Sequence, residues 1–237
     1  MDLQNKVAII TGAGDDIGIA TARRFLKEGA TLVLNETAGE AAVDIRATVD
    51  KALTAHGRVD ILVNAATGLD GGRSWSDTDH AEWERQAAAG PARVFEWCRA
   101  VSPHMAERRY GKIVNLAWST GRYRSSYFPT GSSFRSGTAY ASGQGGILAF
   151  TRELAFELAA DGVYVNAVVP GLIETREGKR DWESLSETAK SYILLESAVG
   201  RMGTPDEVAA VICFLSSERS SYITGTSIDV NGGWWMS

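Results

Sequence analysis

Cysteine is scarce in this sequence, histidine is scattered, and runs of positive charge are missing; each shortage removes a class of function. The two cysteines, Cys98 and Cys213, lie in the apolar helical stretches RVFEWCRAV and VAAVICFLSS, where buried free thiols are expected rather than a disulfide framework. His56, His80 and His104 stand far apart, and no cluster of Cys, His and carboxylate has ligand spacing, so no metal site is expected. Twenty-four Lys and Arg against 29 Asp and Glu leave a formal charge of -5, with no basic run to follow a phosphate backbone. That argues against nucleic acid as a partner. No apolar stretch approaches the roughly eighteen residues of a membrane span, and the first apolar run, residues 7–10, is too short for a signal peptide core. The expectation is a cytoplasmic protein with no membrane partner.

What the sequence does contain suits one globular domain spanning residues 1–237, with 44% hydrophobic and 22% charged residues. Short β-branched runs alternate with amphipathic helical patterns. KVAIIT, TLVLNE, VDILVNAA, KIVNLA, VYVNAVVP and SIDVNG read as strands buried on both faces, because each is a continuous run of Val, Ile or Leu. Helices are expected near residues 18–28, 42–56, 82–105, 140–160 and 206–217, the last with Thr204 as cap and Pro205 at its first position. The fold class is therefore α/β: a single Rossmann-like doubly wound parallel sheet with helices on both faces.

The first segment, VAIITGAGDDIGIATARRFLKEGATLVLN, is a strand, a glycine turn, a helix and a second strand, the context that makes a glycine pattern a dinucleotide-site hypothesis. Together with VDILVNAA, YASGQ, VNAVVPGLIET, GRMGTPDEVA and SSYITGTSIDVNGG it closely resembles the short-chain dehydrogenase/reductase family, in the family's order and from about Lys6 to Gly233. The resemblance implies a cofactor cradle at Gly12 and Gly18, and nicotinamide-side contacts from Asn64, Ile173 and Thr175. Those last three also support strand ends and turns. It further implies a proton-relaying tyrosine, Tyr140, opening a helix.

Several positions depart from the family pattern. In its Thr-Gly-x-x-x-Gly-x-Gly cradle, Asp16 stands where the middle glycine belongs, placing a negative charge where phosphates would sit. Asp15 and Asp16 could instead cap the helix. The stretch from Asn35 to Asn64 is shorter than the family's by about one βα unit, unless residues 41–45 form a minimal substitute strand. Gln144 takes the lysine position four residues after Tyr140, so it shares a helical face with the phenol but brings no charge. A tyrosine of ordinary acidity is ionised in only about one molecule in a thousand at pH 7, a deficit of roughly 4 kcal/mol. Ala117 and Trp118 fall at the family's serine pair, with Ser119 one place late, and Gly90 followed by Pro91 replaces the asparagine.

Tyr140, Ser119 and Gln144 are thus the candidate catalytic set. Between Gly121 and Tyr140 lies an insertion rich in Arg, Ser and Tyr, in which Arg122, Arg124 or Arg135 could bind an anion or favour a phenolate, or simply be solvated. Residues 172–202 hold the place of the family's substrate-covering segment, where Trp182 and Tyr192 could face a ligand or only pack. Trp234 and Trp235 read as a subunit contact, and the helix from Tyr140 as a dimerising one, so a homodimer or homotetramer is expected. Three readings stay open: a small-molecule enzyme that needs no cofactor and uses Tyr140 as acid or base, an oxidoreductase using NAD(P) with a weakened or rebuilt site, and a non-catalytic partner of an intact relative. The charge pattern favours the first and an absent cofactor.

Overall fold

A computed structural model of the protein describes residues 2–36, 44–66, 74–123 and 137–236. Its six strands are β1 (Val7–Thr11), β2 (Thr31–Asn35), β3 (Ile61–Asn64), β4 (Gly111–Leu116), β5 (Val163–Pro170) and β6 (Ser227–Val230). They form one all-parallel sheet in the order β2-β1-β3-β4-β5-β6. Eight α-helices accompany them among the described residues: α1 (Asp16–Lys27), α2 (Ile45–His56), α3 (His80–Ala87), α4 (Arg93–Glu107), α5 (Thr138–Leu158), α6 (Arg176–Ser184), α7 (Glu187–Leu195) and α8 (Pro205–Leu215).

Alternation along each strand divides the core in two, because successive side chains point to opposite faces. Ile9, Leu62, Ile113 and Val165 face a layer built by α2, α4 and α5, with Trp97 and Met105 at its centre. Ile10, Val63, Val114 and Val168 face α1 and α8 through Phe25, Val208 and Ile212. Phe25 is fully buried, and removing one such side chain from water contributes about 1.5–3 kcal/mol. The doubly wound sheet expected from sequence is the observed architecture. No helix among the described residues is long and apolar enough to cross a membrane.

Three local outcomes differ from expectation. The helix foreseen over residues 82–105 is broken: α3 passes through one wide turn (Ala88–Ala92) before α4 begins. Pro91 lacks the amide a regular turn would use, and the wider turn absorbs it. Its ring packs against α5 beside Gly143 and Gly146, at ordinary contact distance from where their β-carbons would stand. Secondly, α2 starts at Ile45, capped by Asp44, whose carboxylate accepts from the Ala47 amide at 2.8 Å; most of the substitute strand weighed for residues 41–45 lies outside the described residues. Thirdly, the terminal indoles are half-buried instead of exposed, and Trp235 stacks on Tyr123 with ring centroids 5.2 Å apart. α8 opens as foreseen, with Thr204 and Glu207 capping each other's amides and Pro205 at its start.

The winding runs from β1 outward to β2 and then back across β1 to β3. The C-terminal ends of β1 and β3 therefore flank the reversal of strand order, which is where open α/β sheets form their ligand crevice.

Candidate functional site

The glycine turn after β1 lies in that crevice. Gly12 has φ +63, and a β-carbon there would stand 2.7 Å from the main-chain nitrogen of Ala66, just past β3. Thr11 Oγ1 accepts from the Ala65 and Ala66 amides at 3.1 and 3.3 Å, tying the ends of β1 and β3 together. Gly18 packs directly on the carbonyl of Gly12, leaving no room for a side chain. Both glycines proposed for the cradle thus occupy positions that the turn requires.

The two acids of this turn do not cap α1, contrary to one expectation. Asp15 sits at the cap position with no side-chain bond to the helix. Burial pushes its carboxyl above the ordinary range, with Arg176 drawing it down and Asp16 raising it further. Asp16 turns to α6: the Arg176 amide donates to its Oδ2 at 2.5 Å and Arg176 Nε to its Oδ1 at 2.9 Å. Arg176 Nη2 also donates to the carbonyl of Gly14 at 2.7 Å. The negative charge that argued against a phosphate here is therefore cancelled by a cation 160 residues away in sequence. Among the described residues, the amides that open α1 keep the free state of a helix start. Sequence reasoning missed Arg176, because nothing local to it signals a partner so distant.

The chemical side of the crevice is built by the end of β4 and the start of α5. Ser119–Gly121 forms a short turn after β4, and Gly121 packs against the backbone of Gln144 and Gly145 so closely that a β-carbon would stand 2.5 Å from each. This contact lays the turn that carries Ser119 against the turn of α5 that carries Gln144, four residues after Tyr140. Tyr140 is 9% exposed and Gln144 only 1%. Gln144 Oε1 accepts from the Trp118 amide at 3.0 Å. The residue at the lysine position thus helps fix the strand end. Thr120 Oγ1, beside Ser119, is buried with no hydrogen-bond partner and was not foreseen.

The nicotinamide-side candidates separate. Asn64 is buried, and its Nδ2 donates to Asn115 Oδ1 at 2.9 Å, while Asn115 Nδ2 donates to Thr151 Oγ1 at 2.9 Å, a polar chain that binds β3 to β4 and α5. Asn64 Oδ1 has no partner. Ile173 pairs with Gly203 in an isolated bridge, and Thr175 caps α6, its Oγ1 accepting from the Gly178 amide at 3.0 Å. Arg122 is engaged by Asp229 of β6 at 2.7 Å, and Tyr123 also donates to Asp229. Arg124 and Arg135 lie outside the described residues. Trp182 is half-buried and Tyr192 is exposed on α7. No group of His, Cys, Asp and Glu that could hold a metal is assembled among the described residues.

Comparison with known proteins agrees with this geometry. The family described as enoyl-(acyl carrier protein) reductase matches residues 40–235. The (2S)-((R)-hydroxy(phenyl)methyl)succinyl-CoA dehydrogenase subunit BbsD of Thauera aromatica is 32% identical, covering 98% of each chain. The 3-oxoacyl-(acyl-carrier-protein) reductase FabG of Thermotoga maritima is 35% identical over 98% of this chain and 99% of its own. Among solved structures, levodione reductase superposes with a TM-score of 0.85 at 26% identity, covering 98% of both chains.

These relatives correct the expectation that no cofactor is used. They are reductases and dehydrogenases, and hydride transfer is chemistry that side chains cannot perform without a bound carrier such as NAD(P). The error lay in treating Asp16 as an isolated charge. Its partner was invisible in the local sequence.

Proposed function

Since the chain belongs to the short-chain dehydrogenase/reductase family, we propose that it is a nicotinamide-dependent oxidoreductase acting on a small carbonyl or alcohol substrate, with Tyr140 as its acid–base group. The observation that carries this reading is the cradle: Gly12 and Gly18 hold the tight turn, α1 offers free amides, and Asp16 is neutralised. These residues fit a dinucleotide diphosphate. A nicotinamide bound at this edge would supply the hydride. NAD is favoured over NADP, because Glu36 directly follows β2 beside Gly14, at the place where an acid binds the ribose hydroxyls. The stretch from Asn35 to Asp44 also holds Glu40 and neither Lys nor Arg to receive a further phosphate.

The chain's own contribution is proton movement and orientation. Tyr140, four residues before the neutral amide of Gln144, is suited to pass a proton to a carbonyl oxygen as reduction proceeds. Ser119 brings a hydroxyl to the same turn, where it can orient that oxygen. With no charge at position 144 to sharpen the phenol, slow turnover is expected. Fluorescence titration with NADH tests the reading. Tyr140→Phe is expected to bind NADH within about threefold of the parent while losing 100-fold or more in reductase turnover; a protein that binds neither NADH nor NADPH at millimolar concentration would overturn it.

One observation favours a second reading, a subunit that completes an assembly around an intact relative. Gln144 is enclosed and uses its carbonyl on the Trp118 amide, so the position of the family's lysine serves structure; the dehydrogenase relative is itself named a subunit. Phe95 and Phe156, 51% and 85% exposed on α4 and α5, offer an apolar contact for such assembly or for a homodimer or homotetramer. Activity of a reconstituted complex that is unchanged by Tyr140→Phe would select this reading.

A further inference from the structure

Arg176 joins two parts of the molecule that the sequence does not connect. It opens α6, in the segment that follows β5 across the crevice, and it reaches the glycine turn on β1 with three hydrogen bonds: amide and Nε to the Asp16 carboxylate, and Nη2 to the Gly14 carbonyl. A guanidinium carries five N–H donors. Nε and one hydrogen of Nη2 are engaged, so Nη1 and the second hydrogen of Nη2 have no bond to any described residue. The side chain is 69% exposed, against 23% for Asp16, so these donors are open to a ligand at the start of α1.

Resting on the oxidoreductase reading above, we propose that Arg176 is a cofactor-positioning residue. It cancels Asp16 at the mouth of the glycine turn and offers its remaining N–H groups to the dinucleotide diphosphate. Acid and cation then form a compensated pair that replaces a glycine: Asp16 orients the guanidinium, and the guanidinium supplies the charge complement that Asp16 alone would oppose.

Calorimetric titration with NADH, ADP-ribose and adenosine separates the possible outcomes, since only the first two carry the diphosphate. Arg176→Ala is expected to weaken NADH and ADP-ribose by about 10- to 100-fold, the worth of a charged hydrogen bond together with an uncompensated acid, and to leave adenosine unchanged. In an Asp16→Gly background the same substitution is expected to cost markedly less, which shows that the two residues act together. The melting temperature of each variant confirms that it is folded. Unchanged ADP-ribose affinity in Arg176→Ala, or equal weakening of adenosine, overturns the inference while NADH binding by the parent keeps the oxidoreductase reading. Binding by Asp16→Gly but not by the parent also overturns it, since Arg176 then fails to offset the acid. Absence of binding in both removes the inference and the reading together.

Discussion

The two ends of the sheet treat a buried or half-buried acid in opposite ways. At the N-terminal end, Asp60 is fully enclosed and accepts from the Val7 amide at 2.8 Å, Arg58 Nε at 2.7 Å and Arg108 Nη1 at 3.0 Å. Burial alone would push its carboxyl up, but those three donors outweigh it and hold Asp60 below the ordinary carboxylate range. Nearby, Lys112 is enclosed with its Nζ 4.1 Å from the ring centre of Tyr164, and Lys6 bonds Glu218 at 3.2 Å. At the C-terminal end, Asp16 rests on one exposed arginine from a separate helix, while Asn35 Oδ1, Asn64 Oδ1 and Thr120 Oγ1 are buried without partners. Asp60 is completed by three donors close at hand, whereas Asp16 depends on a single cation from a distant segment; buried polar atoms without partners occur at both ends, Lys112 Nζ and Tyr110 Oη at the N-terminal one.

The largest test of this contrast is Asp60→Ala, which takes the acceptor from the buried Val7 amide and from two partly exposed arginines. A loss of about 3–5 kcal/mol in denaturant unfolding is expected. The same carboxyl gives a pH signature. Its folded value is depressed, so its stabilisation is present above the unfolded value and disappears as the pH falls through the folded one. Stability should therefore decline progressively as the pH falls from the ordinary carboxylate range to below it, and the decline should be blunted in Asp60→Asn. A smaller effect, about 1–3 kcal/mol, is expected for Gln144→Lys, which removes the acceptor of the Trp118 amide and encloses a charge. A variant as stable as its parent would show that the lysine of the family could return without rearrangement.

Arg176→Ala should change stability by less than about 1 kcal/mol, because its ion pair is largely exposed. A loss as large as that of Asp60→Ala would erase the distinction between the two ends. Smallest of all, burial pushes the Cys98 thiol up to about 12 and the Cys213 thiol up to about 11. Neither should react with iodoacetamide at pH 8 in the folded protein. Rapid alkylation would show that the helices covering them open readily.

Much of the fold was legible in the sequence, because a parallel sheet covered on both faces writes itself as apolar runs. KVAIIT, KIVNLA and VYVNAVVP lie in β1, β4 and β5 for that reason. The break at Ala88–Ala92 was not legible, since Pro91 widens its turn while Pro103 sits within an unbroken α4, and nothing local separates the two. The site divides in the same manner. Tyr140 and Gln144 share a face through their four-residue spacing, which is local information. Arg176 on Asp16, Gln144 on the Trp118 amide and Arg122 on Asp229 are long-range pairings whose members carry no mark of each other. The charge ledger of the glycine turn was misread for lack of the first.

The contact of Gly121 with Gln144 has an engineering consequence. The described chain pauses at a clamped point, with Tyr123 held by Trp235 and Arg122 by Asp229, and resumes at Gly137, the cap of α5. With both attachment points secured, doubling the length between them should add only about 0.6 kcal/mol of closure entropy. A longer or different sequence joining those two points is therefore expected to leave the phenol's seat untouched.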